Sequence, residues 1–156
     1  MKRRDDIKLT PEERALFLAT PRACTLATIG ATGFPQLTAM WFVLIDEWFH
    51  FSTYRKSQKV KNLKRNPKCA VLIEDGEHYA ELRGYSVEGE AELIDDAELA
   101  YRVMCAVSQR YMGFDPAAAG PAIEQATRAR AQKRAVIRIR PVKEISWDHR
   151  KLGGVY

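Results

Sequence analysis

Cysteine is scarce in this chain of 156 residues: Cys24, Cys69 and Cys105 are far apart and odd in number. They form no C-x-x-C pair and no metal-site spacing, and each lies in an apolar run, which predicts buried free thiols. Histidine is equally sparse. His50, His78 and His149 are scattered, so no histidine-based metal site is expected. Long hydrophobic runs are missing as well. No stretch approaches the ~20 apolar residues of a membrane helix, and the N-terminus, MKRRDDIKLT, has no apolar segment for a signal peptide. The expectation is a cytoplasmic protein with no membrane partner.

Catalytic signatures are absent too. There is no P-loop, no G-x-G-x-x-G, no G-x-S-x-G elbow and no H-E-x-x-H. Nothing reads as a protein-supplied nucleophile, so any reaction would be carried by a bound cofactor. No internal repeat, low-complexity tract or linker divides the chain. At this length one domain over residues 1–156 is expected, with enough chain for a core.

What is present is charge in blocks. The net charge of +5 hides ten acids and one base between Glu74 and Glu98, then seven bases and no acid between Arg128 and Lys143. The basic blocks lie beside predicted strands and lack the interleaved aromatics used to stack bases, so nucleic acid is not the expected partner. The alternating carboxylates Glu88, Glu90 and Glu92 read as a solvated strand face rather than a general acid/base pair.

Thr10-Pro11-Glu12-Glu13 is a helix start with a capping box, and Leu16 and Phe17 can pack inward from that helix. Ala23 to Ile29 alternates as a strand. Thr38 to Ile45, nearly all apolar, reads as a second strand. Asp46-Glu47 turns the chain into a third, Trp48 to Thr53. Lys68 to Glu74 is a fourth. Tyr79 to Leu93 is long and alternating, with Gly84 and Gly89 marking bulges or a bend. A helix follows over about Ala97 to Met112, a break over Gly113 to Gly120, a second helix over Pro121 to Lys133, and a last strand over Ala135 to Ile145. The pattern predicts a mainly β, α+β fold: a six-stranded antiparallel barrel with peripheral helices.

The organising stretch is Phe51 to Pro67, FSTYRKSQKVKNLKRNP. A strand ends at Thr53, a basic turn follows, and a short helix opens near Ser57, a plausible N-cap, with Val60 and Leu63 on its apolar face. Between Arg55 and Lys68 stand seven bases and no acid. A basic helix is also what a solvated face looks like. A helix start with unpaired N–H groups beside such cations nevertheless suits an anion, and the phosphate of a flavin-type cofactor is the candidate. The ring of such a cofactor needs a flat apolar wall, which Met40, Trp41 and Phe42 could supply from a strand expected to neighbour Trp48 to Thr53.

The element order, and the pattern F-S-T-x-x-x-S-Q-K-V-x-N-L-x-x-N-P in particular, resembles the pyridoxamine phosphate oxidase-like split β-barrel superfamily over roughly Glu12 to Ile145. The resemblance implies a homodimer with flavin sites at the subunit interface. It implies that Lys59 pairs with the cofactor phosphate while Thr53, Ser57 and Gln58 hydrogen-bond to it. It places Thr38 to Phe42 along the ring, and makes Trp147, with Arg150 or Lys151 nearby, a C-terminal residue that reaches the cofactor. The oxidase itself has Ser-Arg-Lys where this chain has Ser57-Gln58-Lys59, and WDHRKLGGVY matches its C-terminal signature only loosely. The chain looks more like the branch that uses the deazaflavin coenzyme F420, whose anionic glutamyl tail would suit Arg55, Lys56 and Lys61. The implied activity is hydride transfer from reduced F420 to an unsaturated small-molecule acceptor. A flavin mononucleotide (FMN) oxidoreductase is the alternative, as is a non-catalytic cofactor- or haem-binding protein of this fold.

Overall fold

The computed structural model describes residues 3–153. In chain order the elements are α1 (Arg3–Asp6), α2 (Pro11–Ala19), β1 (Cys24–Ile29), β2 (Pro35–Met40), β3 (Val43–Ile45), β4 (Trp48–Tyr54), α3 (Gln58–Arg65), β5 (Lys68–Asp75), β6 (Arg83–Ile94), α4 (Ala97–Met112), α5 (Pro121–Ala131) and β7 (Arg134–Asp148). The strands form one antiparallel sheet in the order β2-β1-β5-β6-β7-β4-β3. The two edge strands, β2 and β3, are consecutive in the chain and joined only by Trp41 and Phe42. At ~3.8 Å per Cα step the gap they can span is about 11 Å, so the sheet curls until its edges meet at this seam. The result is the expected α+β split barrel.

The strand number differs from the sequence reading. Seven strands stand where six were expected, because Thr38 to Ile45 is not one strand. It breaks at Trp41-Phe42, where the chain leaves the partner of β1 and becomes the partner of β4. An apolar run carries no periodicity that would reveal such a crossing.

Local chemistry sets most of the other boundaries. The capping box at α2 forms: Glu13 N–H donates to Thr10 Oγ1 at 3.2 Å, and Thr10 N–H to Glu13 Oε2 at 2.8 Å. The helix buries Phe17 and Leu18, while Leu16, expected inward, is 73% exposed. A helix advances ~100° per residue, so the stripe centred on Phe17 and Leu18 turns Leu16 out. Asp46 and Glu47 both take positive φ, 52° and 64°, as a tight two-residue hairpin demands.

The barrel interior is packed with Leu26, Phe49, Phe51, Val71, Val87 and Ile137. A second cluster, including Ala100, Val103, Ala131 and Val136, packs α4 and α5 against the outer face of β7. The acidic and basic blocks meet across β6 and β7. Glu88, Glu90 and Glu92 stand opposite Lys143, Arg140 and Arg138 and pair with them in that order. Each exposed pair contributes ~0.2–1 kcal/mol, but together they consume the charge that a nucleic-acid track would need. The ladder shifts register between Glu88 and Gly89, and a Cβ at Gly89 would lie 2.5 Å from Ile139.

Two carboxylates give the fold a pH dependence. Asp148 is 2% exposed and accepts bonds from Arg150 Nε at 2.8 Å and from the Arg150 backbone N–H at 3.0 Å. Asp75 accepts from Arg83 at 2.7 Å and from Arg22 at 2.9 Å. Hydrogen bonds from Arg150 and Arg83 respectively hold these carboxyls below their ordinary value of 3.8. A carboxylate with a depressed folded pKa contributes stability that is complete above its unfolded pKa and is lost as pH falls through the folded one. The melting temperature should therefore hold down to the ordinary carboxylate range and fall steeply below it. Asp148→Asn should flatten that acid limb in a pH series of thermal melts.

Candidate cofactor site

The corner forms as its sequence directs. β4 ends at Tyr54, Arg55 and Lys56 turn the chain, and Ser57 N–H donates to Tyr54 O at 3.0 Å. Ser57 is the N-cap of α3 with extended backbone, yet its hydroxyl caps no N–H of the helix. Instead Ser57 Oγ lies 3.4 Å from Thr53 Oγ1. Among the described residues the first N–H groups of α3 thus keep no side-chain partner, and two hydroxyls stand beside them. Lys59, half-buried in the first turn of α3, makes no ion pair among the described residues, and desolvation lowers its pKa. An uncapped helix start, paired hydroxyls and an unneutralised, partly desolvated ammonium form a donor set that fits a phosphate.

Asn62 holds this corner in place. It is fully buried and donates from Nδ2 to Thr28 Oγ1 at 3.0 Å and to Gln36 Oε1 at 2.7 Å. Gln58 Nε2 in turn donates to Asn62 Oδ1 at 3.0 Å. One asparagine therefore ties α3 to β1 and β2 and orients Gln58. Neither Asn62 nor Gln36 was among the expected site residues. The available signal was a polar residue next to inward-facing Leu63 on a helix with few apolar positions. Arg55, expected as a cation for the cofactor tail, is committed elsewhere: it pairs with Asp95 at 2.7 Å and donates to Arg134 O at 3.2 Å. Lys56 and Lys61 remain exposed and without ion pairs among the described residues.

The expected wall is only partly a wall. β2 pairs with β1, not with β4, so Thr38 and Met40 do not share a ladder with the strand that leads into the corner. They share the face of β2 that carries Gln36. Trp41, 46% exposed, stacks on Tyr111 of α4 with centroids 4.8 Å apart and planes 4° from parallel. The Phe42 ring, expected in the wall, is wholly buried against Phe49 and Phe51, so its side chain packs in the core. Tyr111 fixes the seam by accepting from Phe42 N–H at 3.3 Å and donating to Arg22 O at 2.8 Å.

Met40 and Trp41 line a cavity of about 520 Å³ between the seam, β4, β7 and the two outer helices. Thr53, Ser57, Gln58 and Lys59 do not line it, so phosphate corner and aromatic wall are adjacent regions and not one enclosed pocket. Trp147 stands apart from both. It pairs with Gly84 near the far end of β7, where a Cβ on Gly84 would lie 2.2 Å from the indole. That is roughly 40 Å of strand from Arg134 at ~3.3 Å per residue. Arg150 and Lys151 are engaged by Asp148 and Glu13.

With the geometry in hand, the chain belongs to the pyridoxamine 5'-phosphate oxidase family, whose profile matches residues 9–148. Over 83 residues it is 39% identical to a pyridoxine/pyridoxamine 5'-phosphate oxidase of Cupriavidus metallidurans, covering 52% of this chain and 37% of that protein. The match thus spans little more than a third of the curated relative. The crystal structure of a conserved hypothetical protein from Mycobacterium tuberculosis superposes with a TM-score of 0.87 at 41% identity, covering 100% of this chain and 95% of that one. A structure described as an F420 reductase superposes with a TM-score of 0.62 at 29% identity, covering 83% of this chain and 93% of that one. Among the described residues no helix is long and apolar enough to cross a membrane, and no cluster of His, Cys, Asp and Glu could hold a metal.

Proposed function

We propose that this chain is a cytoplasmic, homodimeric oxidoreductase that binds reduced coenzyme F420 and passes a hydride to an unsaturated organic acceptor. The observation that carries the reading is Lys59: a half-buried ammonium with no ion pair among the described residues, at a helix start whose N-cap hydroxyl caps none of the helix N–H groups. Lys59 would neutralise the cofactor phosphate, and Ser57, Gln58 and Thr53 would hydrogen-bond to it. Lys56 and Lys61 would meet the anionic tail. Thr38, Met40 and Trp41 would orient the ring and keep water from it. When bound, the coenzyme supplies the hydride, and one solvent proton completes reduction of the acceptor double bond. Exposed Phe34 and Leu37 on and beside edge strand β2 give a second copy an apolar surface. Across such a dimer Trp147 could approach the partner's ring, which it does not do within its own chain.

The likeness to the F420 reductase supports this reading, and the likeness to the Cupriavidus oxidase supports FMN as the second. Titrating cofactor-free protein with both decides between them. Tighter binding of F420, with reoxidation of reduced F420 on adding a cyclic enone, is the expected result. Tighter binding of FMN would transfer the same site to the flavin.

A further inference from the structure

The cavity beneath the outer helices has a character the corner lacks. Its walls are mostly apolar: Met104, Val107 and Met112 from α4, Phe114 from the following loop, and Trp41 from the seam. Two of its lining residues, Arg130 and Arg134, are cationic and none is acidic. Neither arginine makes an ion pair among the described residues. Their neighbours do: Arg128 is held by Glu98 and Glu124, and Arg138 by Glu92. Ser52 and Arg134 both line the cavity, and their buried Oγ and Nε atoms have no hydrogen-bond partner among the described residues.

We propose that this cavity is the acceptor site, and that it selects a flat, largely apolar molecule carrying one acidic group, with the acid turned to Arg130 and Arg134. This deepens the function proposed above and rests on it for the word acceptor. The binding itself needs no cofactor. A volume of about 520 Å³ falls within the ~300–1,000 Å³ of small-molecule sites. Trp41 and the methionines supply a surface for a planar body, methionine adapting its shape to the ligand. The guanidinium groups supply forked donors for a carboxylate. Arg134 is braced for this, with its guanidinium 4.4 Å from the Tyr54 ring and Nη1 donating to Ser52 O at 3.3 Å. Arg130 is the freer of the two, exposed, with one bond to Thr127 Oγ1 at 3.3 Å.

The test uses trans-cinnamate, planar and anionic, against cinnamamide, its neutral counterpart of nearly equal shape. Both are titrated calorimetrically into the full chain without cofactor. Cinnamate should bind about tenfold tighter or more, the scale of one charge-assisted hydrogen bond. Arg130→Gln, at an exposed position that leaves the fold alone, should remove most of that preference without weakening cinnamamide. Ser108→Trp, which fills the cavity from α4, should abolish binding of both. Equal affinity for acid and amide, an unchanged preference in Arg130→Gln, or unchanged binding in Ser108→Trp would overturn the assignment. F420 titrated into wild type and Lys59→Ala reads the corner separately. A failure there strikes the cofactor reading and leaves the cinnamate result standing.

Discussion

Lys59→Ala should lose cofactor affinity by about 10- to 150-fold while its melting temperature stays at the wild-type value. The range converts the ~1.5–3 kcal/mol of a hydrogen bond to a charged group. The fold should not suffer, because Lys59 pairs with no carboxylate among the described residues and burial already disfavours its charge. Removing it deletes a desolvation cost and no ion pair. An ordinary solvated lysine would differ in the affinity alone, leaving it as unchanged as the stability. Isothermal titration with F420 and FMN, alongside a thermal melt, reads both quantities on one preparation. Lys61→Ala, two positions along and exposed, is the control in the FMN titration, where there is no glutamyl tail for it to meet, and should cost far less there.

Phe42→Ala should be the most destabilising single change at the seam, by ~3–5 kcal/mol. Phe42 is fully buried, with its centroid 5.1 Å from that of Phe49 and 6.4 Å from that of Phe51, and Arg110 lies 4.9 Å from the centre of its ring. Truncation opens a cavity where the two edges of the sheet meet. For a chain of this size that is a fall in melting temperature on the order of 10 °C. Trp41→Ala, one residue earlier, should cost only ~1 kcal/mol, the loss of a stacked pair at a half-exposed position. Its effect should fall on ligand binding instead. Urea unfolding of the two variants separates the roles: a large drop in midpoint for Phe42→Ala, a small one for Trp41→Ala.

That contrast shows where the sequence was legible and where it was not. The capping box at Thr10, the paired turn residues Asp46 and Glu47, and the helix stop before Pro67 are local signals, and each sits where local chemistry puts it. The acidic and basic blocks were visible as blocks, but their cross-strand pairing depends on the register of β6 against β7. Met40, Trp41 and Phe42 looked alike in the sequence because all three are apolar in an apolar run. Their fates differ because the chain crosses from one edge strand to the other between them, a topological fact with no local mark. Asn62 was missed for the converse reason. An asparagine on a basic helix reads as solvated, and only the approach of Thr28 and Gln36 turns it into the buried tie that sets the corner.

The most direct measurement compares FMN with riboflavin, which have the same ring and differ by the phosphate, in calorimetric titrations of cofactor-free protein. A corner built from Ser57, Lys59 and the start of α3 predicts that FMN binds at least about tenfold tighter, and that Lys59→Ala erases most of the difference. Equal affinity for the two, unchanged by the substitution, would contradict the assignment of this corner to a phosphate.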